Sequence, residues 1–173
     1  MKMRIDSLLL YHGSIFRVDS PLTHIGRQDL DFGPGFYLTK DHQQAVDWAK
    51  TKAGRKAGAK AILNVYEFMS ENFLTSEAYR TLIFYNYDLQ WLDFIAQSRK
   101  GQKPWISYDY IEGGVANDSV ITTVDAYVDG LINAEQAMGK LINERLRNQI
   151  CILNQEIIEK YLCFVESIEL SDR

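Results

Sequence analysis

The chain has 173 residues, enough for one domain of ordinary size around a packed core. Hydrophobic residues make up 46% and charged residues 24%, a balance that excludes wholesale disorder. The formal net charge of −4 argues against a generally basic nucleic-acid binder, and no apolar run approaches the roughly 18 residues of a membrane-spanning helix.

In chain order, Leu8 to His12 is a short apolar run stopped by Gly13-Ser14 and reads as a buried strand. Residues 15–30 read as loop. Asp31 to Thr39, DFGPGFYLT, is a Gly-Pro-Gly turn leading into a short aromatic strand. Asp41 caps a helix through about Gly54, with Ala45, Val46, Trp48 and Ala49 on its small or apolar positions. Ala61 to Phe68 reads as a strand. Residues 75–99 read as a helical region packed through Leu82, Ile83, Leu89, Leu92, Phe94 and Ile95. Lys100 to Pro104 is a loop, and Tyr108 to Val115 a strand. Asp118 to Val128 and Asn133 to Arg147 read as two helices split at Gly130, the second packed through Ala134, Ala137, Met138, Leu141 and Ile142. Gln149 to Leu153 is a strand, Gln155 to Ile158 a short turn or helical piece, and Tyr161 to Ile168 a final strand. Strands and helices mix without βαβ alternation, so the class expected is α+β in a single domain over 1–173.

Cys151 and Cys163 sit in apolar contexts and read as small core residues; their spacing does not suit zinc, and no metal is expected. The apolar stretch near the start is too short for the core of a secretion signal, so the expected location is cytoplasmic with no membrane partner. Lys50, Lys52, Arg55, Lys56 and Lys60 form a cationic run whose ordinary reading is the solvated face of a helix.

Three constellations could carry chemistry. Leu10-Tyr11-His12-Gly13-Ser14 places a histidine at a strand's mouth beside a glycine that lets a ligand approach the backbone. In Asp31 to Thr39, paired glycines could cradle a phosphate ahead of Phe36 and Tyr37, although no Walker or Rossmann pattern follows. Asn148-Gln149 is a polar pair opening a late apolar strand. Taken alone, each has an ordinary structural explanation.

Taken together, the order strand-HGS, then FGPGFY and a helix with QQAVDWA, then NQICILNQEII resembles the ADP-ribosyltransferase superfamily. The likeness is to its diphtheria-toxin and poly(ADP-ribose)-polymerase branch, and within it to a small bacterial domain family of unknown function regarded as ADP-ribosyltransferase-like. It covers roughly residues 8 to 165. It implies a split core of two small mixed or antiparallel β-sheets with flanking helices, and NAD⁺ as substrate. By this resemblance His12 would bond the adenosine-side ribose, the Gly13 backbone the nicotinamide carboxamide, and Tyr37 would stack on the nicotinamide ring. Trp48 would close the other side of that slot, with core packing as its alternative. Ser14 and Arg27 lie where ribose or phosphate contacts fall.

The family's third position, usually Glu, is Gln149 here. A carboxylate there would steady the positive charge that grows as nicotinamide leaves; an amide bonds but carries no charge. An acid from elsewhere, Asp118 or the weaker candidate Glu112, could substitute, with helix capping as the ordinary role of Asp118. The resemblance therefore implies a mono-ADP-ribosyltransferase acting on a protein or nucleic-acid acceptor, in the setting of a bacterial toxin or defence effector with a small antitoxin partner. A catalytically degenerate NAD⁺ or ADP-ribose binding module and an NAD⁺ glycohydrolase stay open beside it.

Overall fold

The computed structural model describes residues 7–25 and 30–171. The class is α+β, with two small sheets of three and four strands and helices around them. The chain divides into two compact units. The described part of the first comprises residues 7–22, 36–78 and 154–171; the second comprises 23–25, 30–35 and 79–153.

The first unit holds β1 (Leu8–Ser14), β2 (Phe36–Leu38), α1 (His42–Gly54), β3 (Ile62–Phe68), α2 (Ser70–Thr75), α6 (Gln155–Tyr161) and β7 (Leu162–Glu169). Its sheet runs β1-β3-β7, antiparallel throughout. The register sets His12 opposite Asn64 and Ser14 opposite Ile62. The strand therefore does not stop at Gly13: pairing carries it through Ser14, because the β3 partners continue. Thr39, just past β2, exchanges two backbone bonds of 2.9 Å with Tyr11.

Helix α1 starts where the sequence places it. The Asp41 carboxylate accepts from Gln44 N at 3.0 Å, satisfying one of the first turn's orphan donors. Its buried face is Ala45, Val46 and Ala49, and Ala45 and Val46 pack with Leu63 and Val65 of β3. Trp48, assigned to the same face by spacing, is instead 48% exposed. The cationic run is not one helix either, since α1 ends at Gly54 and residues 55–61 turn back toward β3. Cys163 lies exposed on β7, an edge strand, so only Cys151 is the core residue expected.

In the second unit β4 (Thr81–Ile83) pairs parallel with β5 (Tyr110–Gly114), and β5 pairs antiparallel with β6 (Asn148–Ile152). Around them lie α3 (Leu89–Arg99), a 3₁₀ turn at Pro104–Ser107, α4 (Asp118–Val128) and α5 (Ala134–Leu141). Phe32, Phe84 and Phe94 form a ring cluster with centroids 5.4–6.1 Å apart. The fully buried Trp91 donates its indole N–H to Gly114 O at 3.1 Å, the partner a buried indole requires. Arg99 bridges Asp31 and Asp125; burial raises the Asp31 pKa and the Arg99 charge opposes that rise.

Three boundaries differ from expectation. The region 75–99 expected to be helical begins at the last residue of α2, passes through β4 and becomes helical again only at α3, whose start is fixed by the Asp88 carboxylate accepting from Trp91 N at 2.9 Å. The helix expected over Asn133 to Arg147 ends at Leu141; Ile142, on its apolar period, is 78% exposed. The piece at Gln155–Ile158 is a full helix through Tyr161, capped by Asn154. No helix among the described residues is long and apolar enough to cross a membrane.

Candidate functional site

His12 and Tyr37 meet in the first unit. The His12 Nδ1 lies 2.7 Å from the Tyr37 carbonyl oxygen. A carbonyl only accepts, so Nδ1 carries the hydrogen and Nε2 presents a lone pair. The ring rests against Phe36, with centroids 4.6 Å apart. Desolvation by burial, then the Lys52 charge, lowers the His12 pKa from 6.5 to about 4, against the raising effect of the Tyr37 bond. At neutral pH the imidazole is thus uncharged, oriented, and able to accept a hydroxyl hydrogen through Nε2.

Gly13 follows on β1. A Cβ there would lie 2.2 Å from Ala45 O and 2.8 Å from Ala49 N, so this glycine is what lets α1 lie against the strand. Its carbonyl accepts from Lys52 Nζ at 3.0 Å. Sequence reading missed Lys52, which spacing assigned to a solvated face; it reaches back from α1 to β1. Ser14 is buried and its hydroxyl accepts from Phe16 N at 3.2 Å, a turn contact. Trp48 stands on the outer side of α1 with Lys52 and Arg55 over its ring. Arg27 lies outside the described residues.

The Gly-Pro-Gly turn has a packing explanation. Gly33 has φ +90 and a Cβ there would meet the Trp105 ring at 2.5 Å; one at Gly35 would meet Cys151 Sγ and Ile152 O at 2.5 Å. The space expected to cradle a phosphate is filled on these sides by protein.

In the second unit Gln149 is half-buried on β6 opposite Gly113, and its amide donates to Gly114 O at 3.4 Å. Of the two acids, Asp118 is the exposed one. It opens α4 at φ +49, behind an Asn117 N-cap, and lies 3.8 Å from Arg147. The capping role given to it as its ordinary one is therefore not the one it plays; the neighbouring Ser119 donates to Glu144. Glu112 is buried, and donors hold both its oxygens: Tyr110 OH at 2.8 Å and Asn148 Nδ2 at 2.9 Å. Burial and then the Glu112 charge raise the Tyr110 pKa, so the phenol stays a donor. The structure thus makes Glu112 the built carboxylate and Asp118 a solvated one. The strand YIEGG is buried along its whole length, and the glutamate set among its apolar and glycine residues carried that signal in the sequence.

A family model described as "Protein of unknown function (DUF3990)" matches residues 8–164, from the start of β1 into β7. The chain belongs to this family. No curated protein and no solved structure matches it. The DUF3990 match spans His12, Tyr37, Trp48, Glu112 and Gln149, so all the candidate side chains in both units lie within the family's domain.

The histidine has a measurable consequence. Unfolded, His12 takes up a proton near pH 6.5; folded, only near pH 4. Between those values the unfolded chain binds more protons, so stability rises with pH. The contribution is complete above about pH 6.5 and is lost as pH falls to about 4. Allowing for partial solvent screening of a half-buried ring, it amounts to about 2 kcal/mol. Urea unfolding at pH 7 and pH 4.5 should show wild type losing that much more stability than His12→Asn; parallel losses would remove the assignment.

Proposed function

We propose that this chain binds NAD⁺ and transfers one ADP-ribose unit to a macromolecular acceptor. The observation that carries the reading is the neutral His12 imidazole, tied to the Tyr37 carbonyl and presenting Nε2 as an acceptor. Such a group can accept the hydrogen of a ribose hydroxyl. An imidazolium would offer only donors and would repel the cationic nicotinamide end. Tyr37, half-buried on β2, supplies the ring for nicotinamide, and its own backbone sets the histidine.

In the reaction the C1′–N bond to nicotinamide breaks and nicotinamide leaves with the bonding pair, becoming neutral. The acceptor's lone pair forms the new bond to C1′, and the acceptor gives up its proton to solvent water. Held geometry lowers the barrier by making the substrate a near-attack conformer. Gln149 supplies no charge for the developing cation, which favours single-unit transfer over chain extension. The resemblance gives the setting of a bacterial toxin or defence effector with an antitoxin partner, and this belongs to the same proposal.

The test is incubation with NAD⁺ labelled separately in nicotinamide and adenine, with protein, RNA and DNA pools. Wild type should release nicotinamide and label one pool. His12→Ala and Tyr37→Ala should each lower release by roughly 100-fold, the scale of losing a positioning contact. Free ADP-ribose with no adduct would replace transfer by hydrolysis. Thermal protection by NAD⁺ without nicotinamide release would leave a binding module, the reading favoured by the missing charge at Gln149. If NAD⁺ neither protects nor reacts, the proposal is wrong.

A further inference from the structure

On the first unit two large rings stand in solvent. Phe16 is 60% exposed and Trp48 is 48% exposed. Each has a cation over it: Lys52 Nζ and Arg55 Cζ lie 5.5 and 5.7 Å from the Trp48 ring centroid, and Lys56 Nζ lies 5.4 Å from that of Phe16. Arg55 and Lys56 are adjacent in sequence, so the two rings flank one cationic stretch. Beside it opens a cleft of about 440 Å³ lined by Phe16, Arg17, Lys56, Gly58 and Lys60.

We propose that this face binds single-stranded nucleic acid, with bases stacking at Trp48 and Phe16 and phosphates at Arg55, Lys56 and the cleft. Exposed rings capped by cations and set along a basic track are the elements such binding needs: every base has a face to stack, and every linkage carries a negative charge. Arg17 and Lys60 already pair with Asp19 and Glu169, but those pairs are exposed, and exposed pairs exchange readily for a phosphate. A duplex buries its base faces and could use only the cations. A nicotinamide ring of NAD⁺ is itself positive and would meet Lys52 and Arg55 unfavourably at Trp48, so this surface suits an anionic ligand better than that end of the dinucleotide. The chain's net charge of −4 makes the patch a local exception, consistent with recognition confined to one face. The inference goes beyond the transfer reading and does not depend on it; where transfer holds, it names the acceptor class.

The test is fluorescence anisotropy with short labelled single strands of RNA and of DNA, without NAD⁺, beside the matching duplex and heparin. Wild type should bind at least one type of single strand, more weakly as salt rises. Trp48→Ala and Phe16→Ala should each weaken binding roughly tenfold, while Trp48→Phe keeps most of it. Arg55→Gln with Lys56→Gln should lower the slope of log affinity against log salt by about 1.4. All these side chains are exposed, and unchanged melting temperatures would show that the variants fold. No binding at low salt, equal affinity for duplex or heparin, or alanine variants that bind as wild type would each overturn the proposal.

Discussion

Replacing Gly13 by Ala should lower stability by roughly 3 kcal/mol, the upper end of the cost of overpacking. The added Cβ would sit 2.2 Å from Ala45 O and 2.8 Å from Ala49 N. Both are backbone atoms inside α1, so no side chain can turn aside; the helix or the strand must move. Either movement pulls Ala45 and Val46 from Leu63 and Val65, and stretches the Lys52–Gly13 bond. For a chain of this size the melting temperature should drop by about 6–12 °C. Gly139→Ala is the control. Its Cβ meets nothing within 4 Å, and it lies inside α5, so the exchange should stabilise by roughly 0.5–1 kcal/mol. Urea denaturation of both variants checks the pair. A Gly13→Ala protein as stable as wild type would mean that α1 does not lie so close. The same substitution displaces His12, so NAD⁺ protection should fall with stability.

That glycine shows what the sequence made legible and what it did not. HGS at the end of an apolar run marked a place where backbone must come close to something. The chain alone could not say whether that something is a ligand or a helix, because both demand the absence of a side chain. The same holds for Gly33 and Gly35, which read as a phosphate cradle and are filled by Trp105 and by the strand carrying Cys151. Long elements with a clear period were readable: α1 with its Asp41 cap, and the apolar strands β3 and β7. Short elements whose existence depends on a distant partner were not. Thr81–Ile83 is a strand only because β5 lies beside it, and its apolar run passed for one turn of a longer helix. Asp88, with a carboxylate three residues ahead of the Trp91 amide it bonds, was the cap that marked the break. Ile142 shows the opposite error, an apolar residue in phase with α5 yet beyond its end.

The candidate site was legible in the residues of its first unit. His12 and Tyr37 were chosen by motif and do touch, through a main-chain carbonyl that no sequence pattern displays. Sequence reading put the exposed Asp118 ahead of the buried Glu112. The partners that make Glu112 a built group, Tyr110 and Asn148, come from its own strand and from a strand far along the chain. Only the first of those was visible as local spacing.

Asn64 carries the second large effect. It is fully buried in the middle of β3, opposite His12. Its Oδ1 accepts from Val18 N at 2.9 Å and from Ser167 Oγ at 2.6 Å, and its Nδ2 donates to Phe16 O at 3.0 Å. One amide therefore ties the segment after β1 to β3 and to β7, and Tyr66 OH adds a bond of 2.6 Å to Val18 O. Asn64→Ala removes the partner of four groups at once, because Nδ2 also donates to His12 O at 3.4 Å. A buried group left unpaired costs about 1–3 kcal/mol, and some of these will recover water, so the expected loss is roughly 3 kcal/mol. Tyr66→Phe should cost about 1 kcal/mol. The double variant should lose less than the sum, because both residues hold the same stretch of chain and releasing it once forfeits most of what either contributes. Strict additivity in urea unfolding would mean the two bonds act on independent segments. Asn64→Asp separates geometry from bonding: it keeps the acceptor and the shape but gives up the donor to Phe16 O and buries a charge, so it should be no more stable than alanine. Phe16 sits on the tied segment, so Asn64→Ala should also weaken binding of a single strand by as much as Phe16→Ala does, although Asn64 itself is out of reach of any ligand.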